Sequence, residues 1–150
     1  MRERRSFTIR GDATPREIAS ASKCVLLELW DELEFFDIDL AGLEAQVDYE
    51  AHPAALEHRR RRHFLSKRLD TSAHLLPGRD DDLLPLVLPL LPLTVGSTGF
   101  SRIDRCVVFG VDDEGSVCVF DLTPEQLRSV RDRLLADGAT RDLLVPMRQH

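Results

Sequence analysis

Asp104-Arg105-Cys106-Val107-Val108-Phe109-Gly110-Val111, then Asp112-Asp113-Glu114-Gly115, then Ser116-Val117-Cys118-Val119-Phe120-Asp121-Leu122 is the stretch that decides the fold. Two runs rich in β-branched and aromatic residues flank a short polar loop whose glycine supplies a left-handed position. That is the pattern of a β-hairpin. Thr123-Pro124-Glu125-Gln126 follows at once. The threonine hydroxyl can accept from the N–H of Gln126, whose side chain can reach back to the cap, and proline is tolerated at the first helical position. Leu127, Val130 and Leu134 then form the buried stripe of a helix that stops at Gly138, and residues 142–146 predict a last short strand.

The same signals recur at the other end of the chain. Ser6-Phe7-Thr8-Ile9-Arg10 alternates polar and apolar residues ahead of Gly11-Asp12, which predicts a short strand and a turn. Thr14-Pro15-Arg16-Glu17 repeats the capping logic, and Ile18, Val25, Leu29 and Phe36 give a helical stripe from about residue 15 to the mid-thirties. Phe35 to Leu40 breaks that stripe and reads equally as a turn or a short strand. A second helix is expected after Asp39, ended by Pro53, and a third to about Leu69. Residues 70–82 read as a loop. The proline-broken run Leu83 to Val95 is expected to lie extended over the core or to form an edge strand, and Gly96-Ser97-Thr98-Gly99 to free the chain.

These elements predict one α+β domain over residues 1–150. It has two layers: a small, mainly antiparallel sheet with a C-terminal β-hairpin–helix unit, and an N-terminal helical segment. A length of 150 residues, 43% hydrophobic and 31% charged, suits a globular core rather than a disordered chain. The N-terminus lacks the apolar stretch of a signal peptide, and the greasiest run is too short and too rich in proline to span a bilayer. The expectation is a cytoplasmic protein. Arginine supplies 18 of the 20 basic residues and asparagine is absent, which fits a GC-rich coding bias, so arginine content carries no functional argument.

A net charge of −6 argues against a general nucleic-acid or anionic-membrane binder. Cys24, Cys106 and Cys118 make an odd set without a CxxC pair, so neither a disulfide framework nor a zinc site is indicated. Cys106 and Cys118 could face each other across the hairpin. No dinucleotide or P-loop glycine pattern and no HExxH is present, so no cofactor, metal or catalytic residue is nominated.

The strongest non-random feature is charge segregation. Ten acids and no lysine or arginine lie between Cys24 and His58, and six positive charges follow within Arg59 to Arg68. Glu28, Asp31 and Glu32 mixed with Trp30, Phe35 and Phe36 read as a docking face for a basic protein, because aromatic rings anchor while charge steers encounter. The plainer alternative makes the acids the solvated side of amphipathic helices and puts the aromatics in the core. The functional expectation is a non-enzymatic accessory or regulatory protein that binds another protein, an acidic inhibitor or immunity-type protein being one form; a homo-oligomer is permitted. One rival is a small enzyme whose site is assembled from distant residues such as His63, His74 and Cys106. Another is binding of an anionic ligand or nucleic acid through Arg59, Arg60, Arg61 and Arg62, which the acidic balance and the spread of four consecutive side chains around a helix disfavour.

Overall fold

The structure is a computed structural model and describes residues 3–39 and 72–148. The helices expected within residues 39–69, the run Arg59 to Arg62, and His63 lie outside the described residues. The elements are β1 (Arg5–Ile9), α1 (Pro15–Leu29), β2 (Leu33–Asp39), β3 (Ser72–Leu75), β4 (Gly96–Ser101), β5 (Val107–Asp112), β6 (Val117–Leu122), α2 (Pro124–Ala136) and β7 (Leu144–Pro146). The fold is α+β. Its sheet is larger than the sequence suggested: seven strands in the order β3-β2-β4-β5-β6-β1-β7, with every neighbouring pair antiparallel.

Both helices begin as their caps dictate. Thr14 Oγ1 accepts from Glu17 N at 3.2 Å while Thr14 N donates to Glu17 Oε1 at 3.0 Å, and Thr123 and Gln126 repeat the exchange at 3.3 and 3.0 Å. Each box satisfies donors that a helix start otherwise leaves unpaired. α1 and α2 pack side by side, and Ala21, Cys24, Val25, Leu26, Leu29, Val130 and Leu134 fill the core between them and the sheet. Ser20 and Lys23 of α1 both donate to Asp137 at the C-terminus of α2, and these bonds, Lys23 first, hold the Asp137 carboxyl below the usual carboxylate range.

One row of inward positions crosses all seven strands: Leu75, Phe36, Gly99, Phe109, Phe120, Phe7 and Pro146. Gly99 is why the row can close. Phe36 and Phe109 sit on strands two apart, yet their ring centroids lie 5.7 Å from each other, edge to face, across a position that has no side chain. A Cβ on Gly99 would stand 3.0 Å from Phe109 Cβ and 3.2 Å from Leu33 Cδ1. Gly99→Ala is therefore expected to destabilise by roughly 1–3 kcal/mol through overpacking, read from the urea midpoint. A change below about 0.5 kcal/mol would mean the rings yield freely.

Four local expectations are corrected. Ser72–Leu75 and Gly96–Ser101 are strands, not loops. β4 was invisible because its inward residues, Ser97, Gly99 and Ser101, are small: the large neighbours Phe36 and Phe109 fill the space above them. The leucine–proline run is neither extended nor an edge strand but consecutive short helical turns, Leu84–Val87 and Leu88–Leu93. Pro85 and Pro89 fall in the first turn of each, where no N–H is needed. Leu83, Leu84, Val87, Leu90 and Leu91 are buried, and the run packs on α1. Cys118 lies opposite Val111, not Cys106, and all three thiols are free. The hairpin itself is as expected, Gly115 taking φ +88° in its loop.

The α1 stripe was read too long. The helix ends at Leu29, a 3₁₀ turn Trp30–Glu32 follows, and Phe35 and Phe36 are strand residues. A period of two then sends them to opposite faces of the sheet.

Candidate binding cleft

At one end of the molecule the 3₁₀ turn after α1, the first turn of α2, the β4–β5 loop and the residue preceding β1 converge. A cleft of about 790 Å³ lies between them, and no lysine or arginine is among the side chains lining it. Five carboxylates are: Glu3, Glu28, Asp31, Glu32 and Glu125, with Ile103 and Pro124 as apolar parts of the wall.

Beneath the cleft Arg4 acts as a buried hub. Its Nε donates to Asp104 Oδ2 at 2.6 Å, Nη2 to Glu32 Oε1 at 2.5 Å, and Nη1 to Gln126 Oε1 at 2.8 Å and to the Asp121 carbonyl at 3.0 Å. Gln126 Nε2 completes the network by donating to Glu32 Oε2 at 3.0 Å. The Arg4, Glu32 and Asp104 side chains are each only 9% exposed. Burial alone would pull the guanidinium pKa down; the hydrogen bonds from Arg4 to Asp104 and Glu32, and the charges of those two acids, more than offset it, and the net direction is up. Position follows from structure on every side. Arg102 N donates to the Glu32 carbonyl at 3.0 Å and Arg102 Nη2 to the Asp31 carbonyl at 2.7 Å, tying the β4–β5 loop to the 3₁₀ turn. Ser101 Oγ accepts from the N–H groups of Ile103 and Asp104 at 3.2 Å each, which shapes the same loop.

The acids differ in what holds them. Glu28 accepts from Ser129 Oγ at 2.6 Å and from Arg133 Nε at 3.2 Å, so α2 already answers its charge. Glu32 belongs to the Arg4 network. Asp31 and Glu125 are exposed, and among the described residues no cation pairs with either. Glu125 also sits in the first turn of α2, where the helix dipole favours an anion.

Of the six residues the sequence nominated for partner binding, the fold brings Glu28, Asp31 and Glu32 into one cleft. Trp30 and Phe36 are elsewhere. Trp30 is 4% exposed with its indole Nε1 donating to Asp81 Oδ1 at 2.8 Å, and Phe36 is fully buried, so neither ring is available to a partner. Phe35 is half-buried on the outer sheet face, stacked on Phe100 with ring centroids 5.3 Å apart. Sequence reasoning missed Glu3, Ile103, Glu125 and the Arg4 hub, because each reaches the cleft from a segment distant in sequence from residues 28–32, and the capping signal around Glu125 speaks only of a helix start.

Of the residues put forward for an assembled enzyme, His63 lies outside the described residues. His74 Nδ1 faces Asp37 Oδ1 at 2.5 Å on the outer sheet face. Desolvation first, then Asp104, raises the Cys106 thiol pKa, and Cys118 is pushed up to about 11 by burial and Asp112, which keeps these thiols protonated at neutral pH. Among the described residues no group of three His, Cys, Asp or Glu is arranged to hold a metal ion, and no helix is long and apolar enough to cross a membrane.

No protein-family model matches the chain, and neither does any curated protein or solved structure. What the described residues define is an α+β protein with a seven-stranded antiparallel sheet, the helices α1 and α2 packed on one sheet face, and an anionic cleft at one end.

Proposed function

We propose that this protein is a non-catalytic accessory or regulatory protein that binds a basic segment of another protein in the acidic cleft, an inhibitor of a basic enzyme being one form. The observation that carries this reading is the convergence of five carboxylates from separate parts of the chain on a cleft lined by no cation. Three of them are held in place by neighbours, Glu28 by α2, Glu32 by Arg4 and Asp31 through its backbone. Preorganised charge favours association because less ordering is left to do at encounter. Ile103, 49% exposed, and Pro124 offer apolar contact beside the charges.

The test is affinity capture at low and high salt, followed by titration of the purified partner against the parent chain and the variant Asp31→Lys with Glu125→Lys. Both positions are exposed, so the fold should tolerate them. The expected result is a partner with a basic contact surface whose affinity falls about 10–100-fold in the variant and weakens steeply with salt. Retention of no partner, or of one indifferent to the double reversal, overturns the reading.

A further inference from the structure

We propose a second binding site, which borders the acidic cleft and shares Glu3 and Pro124 with it, that takes a small apolar carboxylic acid. The helices cover the middle of the sheet, but toward the β6–β1–β7 edge the inner face is left with a cavity of about 360 Å³. Phe7 and Leu122 of adjacent strands form its floor, Pro146 of β7 closes the side opposite Phe7, and Pro124, Leu127 and Arg131 stand along one face of α2 as its wall. The spacing of those three, by three and then four residues, is what places them in one stripe. A mostly apolar cavity of this size with a polar group at one point is the usual form of a small-ligand site, whose common range is about 300–1,000 Å³.

Arg131 decides the chemistry of the ligand. It is half-buried, it lines the cavity, and among the described residues no acid pairs with it. A guanidinium so placed matches a carboxylate with two parallel N–H donors while the cavity accepts the chain behind it. The cavity also borders Arg5 and Glu3, 3.7 Å apart and both mostly solvent-exposed, so its lining carries one net positive charge, with Arg131 the more buried of its two cations.

Octanoate is the probe, titrated into the full-length ¹⁵N-labelled chain, with octanamide as its neutral counterpart. Saturable, sub-millimolar binding is expected, with amide shifts centred on Phe7, Leu122 and Leu127. Affinity should fall at least tenfold for octanamide and at least tenfold for octanoate against Arg131→Gln, which keeps a polar stem but no charge. Glu3→Gln should bind at least as tightly as the parent. Equal binding of the amide, unchanged affinity in Arg131→Gln, shifts centred away from these residues, or no saturable binding would each overturn the proposal. The test of the acidic cleft is separate, because it uses Asp31 and Glu125, which do not line this cavity.

Discussion

Arg4→Met is expected to destabilise the protein by about 3–5 kcal/mol, because it withdraws the guanidinium that bridges two carboxylates in a place water hardly reaches. Glu32 and Asp104 are 9% exposed, and each accepts its closest hydrogen bonds from Arg4 at 2.5–2.6 Å. The Coulomb gain of such a network roughly balances the cost of burying its charges, so its presence adds little, while its disruption costs much. Against a total stability of roughly 5–15 kcal/mol the loss is large. With a urea m-value of about 2 kcal/mol/M it moves the unfolding midpoint by about 2 M. The companion variant Arg4→Met, Glu32→Gln, Asp104→Asn removes the two carboxylate charges along with the cation and should recover at least half of the loss. A single variant within about 1 kcal/mol of the parent would show that these acids find water or protons easily. The network would then not be the floor that holds the cleft in shape.

Phe109→Ala is the second large loss, again about 3–5 kcal/mol, from transfer of the ring and the cavity it leaves. Phe109 is fully buried at the centre of the seven-strand row, with its ring 5.7 Å from that of Phe36 and 5.2 Å from that of Phe120. Gly99 on one side cannot fill the gap, and the backbone pairing on both sides limits collapse. The comparison that gives the prediction its meaning is Val107→Ala on the same strand. Val107 is 51% exposed on the outer face, so its truncation should stay within about 0.5 kcal/mol. A loss at Val107 as large as that at Phe109 would mean that Val107 is packed as deeply as the ring.

The parts of the fold that were readable share one property: their causes lie within a few residues. The two Thr-Pro capping boxes, the hairpin with its positive-φ glycine and the stop at Gly138 are all local hydrogen-bonding or steric arrangements, and each forms, though the first hairpin strand starts at Val107 and not at Asp104. The unreadable parts depend on contacts made at a distance. β4 shows no hydrophobic alternation because its inward residues are small, a choice that makes sense only once Phe36 and Phe109 are known to flank it. The leucine–proline run looked extended because a single proline forbids a helix interior, yet successive short turns can each begin on one. Trp30, Phe35 and Phe36 stand among acids and read together as one docking face, but the short-strand alternative for residues 35–40 is the one that forms, and its period of two sends Phe35 and Phe36 to opposite faces.

The candidate site divides in the same way. Acidic enrichment in residues 28–32 was visible as composition, and three of its members do line the cleft. Arg4, which meets Asp104 across 100 residues and Gln126 across 122, carries no sequence signal at all.

By itself, then, the sequence determined the α+β class, the helix starts, the hairpin and the sign of the charge near residue 30, since those rest on backbone propensity, short-range caps and counted charges. Only the tertiary structure decided the strand order, which aromatic rings became core, and which carboxylates share a cleft. Those outcomes depend on which distant segments bury one another, a choice made by the whole set of long-range contacts together.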